Sequence, residues 1–203
     1  MLVILDPPHG KETPGKRSPD GRILEWSWGR NFIGRIEKRL DEIGIPHLRD
    51  WNGDNEPGLT KRCQLANDLD KKNCGPSIFI STHINAAGSG SQWMSAQGWS
   101  VFVGNNASNN SKKLATLMTE AAKESGIKVR VPSPSQPYWV QNLTVCQKTS
   151  MPAVLVENMF MDNKSDVEFL LSEEGQSVLA EIIVKAVCKY FDLPYDKDTE
   201  GGK

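Results

Sequence analysis

Histidine is scarce in this chain, with only three in 203 residues. No apolar run exceeds a few positions, far short of the ~20 that cross a bilayer, so no membrane span is expected. Charge of either sign is also lacking in excess: 24 basic and 25 acidic residues leave a formal net charge of -1. That balance argues against nucleic acid as the main partner and leaves room for a polar polymer such as a glycan. Cysteines number four, Cys63, Cys74, Cys146 and Cys188, at wide and irregular gaps with no CxxC pair. A metal cluster or redox motif is disfavoured, and buried free thiols are expected. Internal repeats and low-complexity segments are missing too. Met1 to Leu5 is apolar but has no basic start, insufficient length and no cleavage site, so it reads as a strand and not as a signal peptide. Synthesis in the cytoplasm is the matching expectation.

What is present fits one domain, residues 1–191, followed by a polar and loose tail at 192–203. A chain of this size buries enough surface to need no disulfide. Leu2-Val3-Ile4-Leu5 is a buried strand stopped by Asp6-Pro7-Pro8. After a loop to Gly21, the apolar residues Trp28, Phe32, Ile33, Ile36, Leu40 and Ile43 recur in steps of three and four from Glu25, which predicts an amphipathic helix ending at Gly44. A strand at 45–48, a helix with Leu59, Cys63, Ala66 and Leu69 on one face, and strands at 77–82 and 99–103 follow. Next come a helix at 109–124, a short strand at 153–156, and a short and a long helix between Asp166 and Phe191, divided near Ser172 to Gly175. Strands alternating with helices predict an α/β fold, a three-layer sandwich with a mainly parallel twisted sheet flanked by helices.

Three ionisable side chains fall just after predicted strands: His9, His83 and Glu157, the last after Ala153-Val154-Leu155-Val156. Glu25 starts the first long helix. Ligands gather at the carboxyl ends of strands in open α/β sheets. Two histidines and a carboxylate form a usual ligand set for a catalytic zinc, and a further carboxylate serves metal-assisted hydrolysis as general base. Plainer readings compete. His9 can be a loop histidine, and Glu25 a charge favoured at a helix start without any metal. Glu157, at the end of an apolar strand, needs a partner. His47 lies at the end of an edge strand and is not placed in the site. Trp93, Trp99 and Trp139 could stack on a sugar, but a lone tryptophan is more often core.

Several motifs, in order, carry a resemblance: Asp6-Pro7-Pro8-His9-Gly10-Lys11, Glu25, Leu59 with Arg62 and Ala66-Asn67, Ser81-Thr82-His83-Ile84-Asn85-Ala86, and Pro152 to Glu157 followed by Phe160 and Asn163. From Leu2 to about Phe191 the chain resembles the zinc-dependent N-acetylmuramoyl-L-alanine amidases of type 3, whose substrate is peptidoglycan. The resemblance implies that His9, Glu25 and His83 bind zinc and that Glu157 is the catalytic glutamate. Arg130 falls near an arginine found in many members, which the resemblance carries to the substrate side, and a donor such as Asn85 or Arg130 is expected to help hold the oxyanion. Pro8 and Lys11 depart from glycines common in the family and put the backbone shape around His9 in question.

The expected activity is hydrolysis of the amide between N-acetylmuramic acid and L-alanine, in cell-wall lysis or remodelling. Alternatives are a zinc peptidase acting within the stem peptide and an inactive glycan-binding module. With no visible leader or wall-binding repeat, a phage or prophage lysin is favoured, and a monomer over an oligomer. Other divalent ions also suit such a ligand set.

Overall fold

The computed structural model describes residues 1–89 and 91–196. Its centre is a six-stranded sheet in the order β2-β1-β3-β6-β4-β5. The strands are β1 (Leu2–Asp6), β2 (His47–Arg49), β3 (Ser77–Asn85), β4 (Ser100–Gly104), β5 (Trp139–Gln141) and β6 (Ala153–Phe160). All neighbouring pairs are parallel except β4 with β6. Helices α1 (Glu25–Glu42), α2 (Leu59–Lys72), α3 (Asn109–Glu124), α4 (Thr144–Gln147), α5 (Lys164–Leu171) and α6 (Glu173–Tyr190) complete the element order. The expected three-layer arrangement holds: α2 and α4 cover one face, and α1, α3, α5 and α6 the other.

Helix α1 forms where the spacing predicted it. Trp28, Phe32, Ile33, Ile36 and Leu40 are all buried on the larger core, each contributing about 1.5–3 kcal/mol relative to exposure. Ser108 caps α3 by accepting from the Ser111 N–H, and Ser172 closes α5 and caps α6 through the Gly175 N–H. The predicted division of the C-terminal helices therefore falls on a single serine.

Three expectations need correction. Leu59 is 47% exposed, so the buried face of α2 starts at Arg62 and Cys63. His83 and Glu157 do not follow strands but lie inside them, because β3 and β6 run on to Asn85 and Phe160. The first residues of the tail are not loose: Leu193 and Tyr195 pack against the core, and the Tyr195 hydroxyl donates to Glu181 Oε2 at 2.8 Å. The rest of the predicted tail, 197–203, lies outside the described residues.

The pleat explains how the sheet makes a site. Leu2, Ile4 and Asp6 of β1 share a face with Phe79, Ser81 and His83 of β3 and with Ala153, Leu155 and Glu157 of β6. Along each strand that face changes from apolar to ionisable as the carboxyl end is reached. The apolar half packs under α2 and α4, while in the polar half buried Asp6 bonds Arg62 of α2 and accepts from Ser81.

Candidate functional site

His83 and Glu157 are register partners on adjacent parallel strands, which puts them about 4.8 Å apart in the backbone. Immediately beyond them the pairing shifts, so that Asn85 faces Phe160, and Met159 takes a positive φ of 65°. Such a bulge re-aims side chains at a strand end. Asn158 Nδ2 donates to the His83 carbonyl at 3.1 Å and fixes the strand there.

Glu25 reaches the pair from the first turn of α1, and its backbone N–H is anchored to the Lys16 carbonyl at 2.9 Å. Its carboxylate is wholly buried. Oε1 accepts from the Ile84 N–H at 3.0 Å and lies 3.1 Å from His83 Nδ1. Oε2 lies 3.7 Å from His9 Nε2 and has no hydrogen-bond partner. Burial works against ionisation of Glu25, but His83 and His9 beside it hold its carboxyl below the usual range.

His9 comes from the loop after β1 and has φ 27°, a left-handed conformation that costs about 1–3 kcal/mol in a non-glycine residue. Its neighbours hold that backbone. Arg30 Nη1 donates to the His9 carbonyl at 3.1 Å and Arg62 Nη2 to the Pro7 carbonyl at 3.0 Å. Pro8 lies flat against Gly29 of α1, where a Cβ would come within 2.2 Å of its ring. The departure at Pro8 is thus matched by a glycine on the facing helix. Burial, above all, lowers the pKa of His9 to about 4, so its imidazole is neutral at neutral pH, the state in which it can act as a ligand.

His9, Glu25 and His83 offer ligand atoms that all lie within 4.8 Å of one another. The nitrogen–carboxylate separations are 3.1 Å for His83 and 3.7 Å for His9, each to a different oxygen of Glu25. Two imidazole nitrogens and a carboxylate whose Oε2 is buried without a partner make a donor set that would fit zinc. His47, by contrast, sits on edge strand β2 with Nδ1 against the Ile45 carbonyl, away from the cluster.

Glu157 is half-buried, and its Oε2 is shut off from solvent without a hydrogen-bond partner. Burial, opposed by His83, pushes its carboxyl up to about 7. A carboxyl with this poise beside a metal-capable cluster can both take and give a proton near neutrality.

Asn85 ends β3, with Oδ1 accepting from the Ala86 N–H at 2.8 Å. Arg130 is half-buried, its guanidinium 4.7 Å from the ring of Phe160, the register partner of Asn85. Of the tryptophans, Trp99 is core, while Trp93 and Trp139 are half-buried.

A charged network lies behind His9. Fully buried Arg62 bonds both oxygens of buried Asp6, with Nε 2.8 Å from Oδ1, and its Nη1 donates to Glu56 Oε1 at 2.7 Å. Ser81 also donates to Asp6. Sequence reading picked out Arg62 and Asp6 only as motif letters and passed over Glu56 and Asp50. Their one signal was acidity in the polar loop before α2.

This is an α/β sandwich protein with a buried His-Glu-His cluster and an isolated carboxyl at the carboxyl ends of its central strands. Residues 3–189 match the N-acetylmuramoyl-L-alanine amidase family (Amidase_3), and the chain belongs to it. Among curated relatives, it is 29% identical over 99% of its length to an endolysin of Bacillus phage SPP1, of which it spans 69%. It is 24% identical over 93% of its length to the probable cell wall amidase LytH of Staphylococcus epidermidis, of which it spans 58%. An N-acetylmuramoyl-L-alanine amidase from Clostridium difficile 630 superposes with a TM-score of 0.80 at 25% identity, covering 94% of this chain and 96% of that one. The catalytic domain of CwlV from Bacillus (Paenibacillus) polymyxa shares the fold, with a TM-score of 0.79 at 22% identity over 95% of this chain and 99% of that one.

Proposed function

We propose that the chain hydrolyses the amide between the lactyl carbonyl of N-acetylmuramic acid and L-alanine in peptidoglycan. In this reading zinc is held by His9, Glu25 and His83, and Glu157 carries the proton. The observation behind the reading is the convergence of His9, Glu25 and His83 beside a carboxyl pushed up to about 7. When bound, such an ion supplies Lewis acidity, which polarises a carbonyl and acidifies water.

The chain's own residues do the rest. Glu157 takes a proton from the attacking water as the new C–O bond forms. It returns that proton to the departing nitrogen as the C–N bond breaks, leaving a lactyl carboxylate and the free amine of L-alanine. Neutral His9 and ionised Glu25 are in the states that ligation needs. We assign Asn85 and Arg130 to the substrate side, beyond His83 and Glu157, where a donor can stabilise the charge that develops on the carbonyl oxygen. Action on the cell wall follows, and the likeness to a phage endolysin supports a lysin role. No described helix is long and apolar enough to cross a membrane.

The test is digestion of purified peptidoglycan by the protein loaded with zinc, with mass spectrometry of the new ends. Intact stem peptides with a free L-alanine amine are expected. New ends inside the stem, or none, would overturn the reading.

A further inference from the structure

The two nitrogens of His9 face different carboxylates. Nε2 points toward Glu25 Oε2 at 3.7 Å, the side on which the cluster converges. Nδ1 points the other way, toward Glu56 Oε2 at 3.6 Å. That separation is an electrostatic contact, longer than a hydrogen bond.

Glu56 is built to hold that place. Its Oε1 is committed to Arg62 Nη1, and Arg62 is itself fixed by fully buried Asp6. Its Oε2 is left for the His9 loop, where it accepts from the Thr13 hydroxyl at 3.4 Å. The Thr13 oxygen in turn accepts from the Gly10 N–H at 3.2 Å. The grip is reciprocal: the Glu56 N–H donates to Glu12 Oε1 at 2.7 Å, and the Lys11 N–H to the Asp54 carbonyl at 2.8 Å. Gly10 permits this closeness, since a Cβ there would lie 2.4 Å from the Glu56 nitrogen. Glu56 is ion-paired through Oε1 to the guanidinium of Arg62, which leaves Oε2 of the same carboxylate facing His9.

We infer that Glu56 is a positioning residue: its carboxylate selects the tautomer of His9 that carries hydrogen on Nδ1 and presents the lone pair of Nε2 to the ion. An imidazole bound through one nitrogen is commonly oriented by an acceptor on the other, which also raises its basicity as a ligand. A plain structural ion pair would need only Glu56 Oε1 on Arg62 and would be indifferent to the His9 tautomer. The inference rests on the reading of His9, Glu25 and His83 as metal ligands.

The experiment measures zinc affinity by competition with a chelating dye for wild type, Glu56→Gln and His83→Ala. It also measures the His9 tautomer in the metal-free wild type and Glu56→Gln by ¹⁵N–¹H NMR. Glu56→Gln keeps an oxygen for Arg62 and removes the charge. It is expected to bind zinc about 10–100-fold more weakly than wild type, with the metal-free melting temperature little changed. The Nδ1–H form should dominate in the wild type and lose ground in the variant. Zinc affinity within threefold of wild type, with an unaltered tautomer, would overturn the inference and leave the metal reading standing. Zinc binding no tighter in wild type than in His83→Ala would overturn both. Should Glu56→Gln fail to fold, the wild-type tautomer decides alone: hydrogen on Nδ1 supports the inference and hydrogen on Nε2 overturns it.

Discussion

Asp50→Asn is expected to stabilise the protein, and the gain should grow with pH. Asp50 lies beside Asp6 in the buried network, with Oδ1 accepting from the Trp51 N–H at 2.9 Å. Asp6 is already claimed by Arg62, Ser81 and the Trp51 indole N–H. Two carboxyls this close in a buried site cannot both ionise cheaply. Arg62 keeps Asp6 ionised despite its burial, so Asp50 is the one of the two that retains the proton. Burial first, and then the charge of Asp6, push Asp50 up to about 10 from an ordinary value of 3.8.

The folded protein therefore holds a proton that the unfolded chain releases. Stability is lost as pH rises from the unfolded value toward the folded one, at roughly 1.4 kcal/mol per pH unit. By pH 7 the loss is at most about 4 kcal/mol, and by pH 5 about 2 kcal/mol. Asparagine keeps the acceptor for Trp51 and offers Asp6 an N–H with no proton to bind. Allowing for an imperfect replacement bond, a gain on the order of 1–3 kcal/mol at pH 7 is expected. Urea denaturation followed by tryptophan fluorescence at pH 5, 7 and 8.5, with chelator present to remove metal linkage, measures it. An Asp50→Asn variant less stable than wild type by an amount independent of pH would refute the reasoning.

That network also shows where sequence reading stops. His9, Glu25, His83 and Glu157 drew notice because three follow predicted strands and Glu25 opens an amphipathic helix, and the structure brings His9, Glu25 and His83 together. Asp50 and Glu56 sit in a loop with no periodicity. Their partners Asp6 and His9 are more than 40 residues away, so nothing local marks them. The ends of β3 and β6 were missed for a related reason. His83 in β3 and Glu157 with Asn158 in β6 are polar, and they broke the apolar runs that signalled strand. Strand β5 is a three-residue edge with little burial and α4 a four-residue helix, both too short to carry a pattern. Burial of the sheet and of α1 left strong periodic signals, and so the three-layer class was readable.

If His9, Glu25 and His83 hold zinc as proposed, His83→Ala should lose zinc and activity together, whereas Glu157→Gln should keep zinc and lose about 10²–10⁴-fold in turnover. Metal analysis beside peptidoglycan digestion checks both, and normal turnover by Glu157→Gln would remove Glu157 from the proton pathway. Gly29→Ala drives a methyl to within 2.2 Å of the Pro8 ring, so a loss of about 1–3 kcal/mol in urea denaturation is expected, with weaker zinc binding as the His9 loop shifts. The last prediction concerns the thiols, all four of which are free, with Cys63, Cys146 and Cys188 buried and Cys74 exposed. Burial raises the thiol pKa of Cys63, Cys146 and Cys188 and keeps them inert. A thiol reagent should therefore label Cys74 alone in the native protein and all four in denaturant, and strong reductant should leave the melting temperature unchanged. A stabilising bridge would instead cost about 2–5 kcal/mol on reduction, and a melting curve that fell by that much would show that the fold depends on a disulfide.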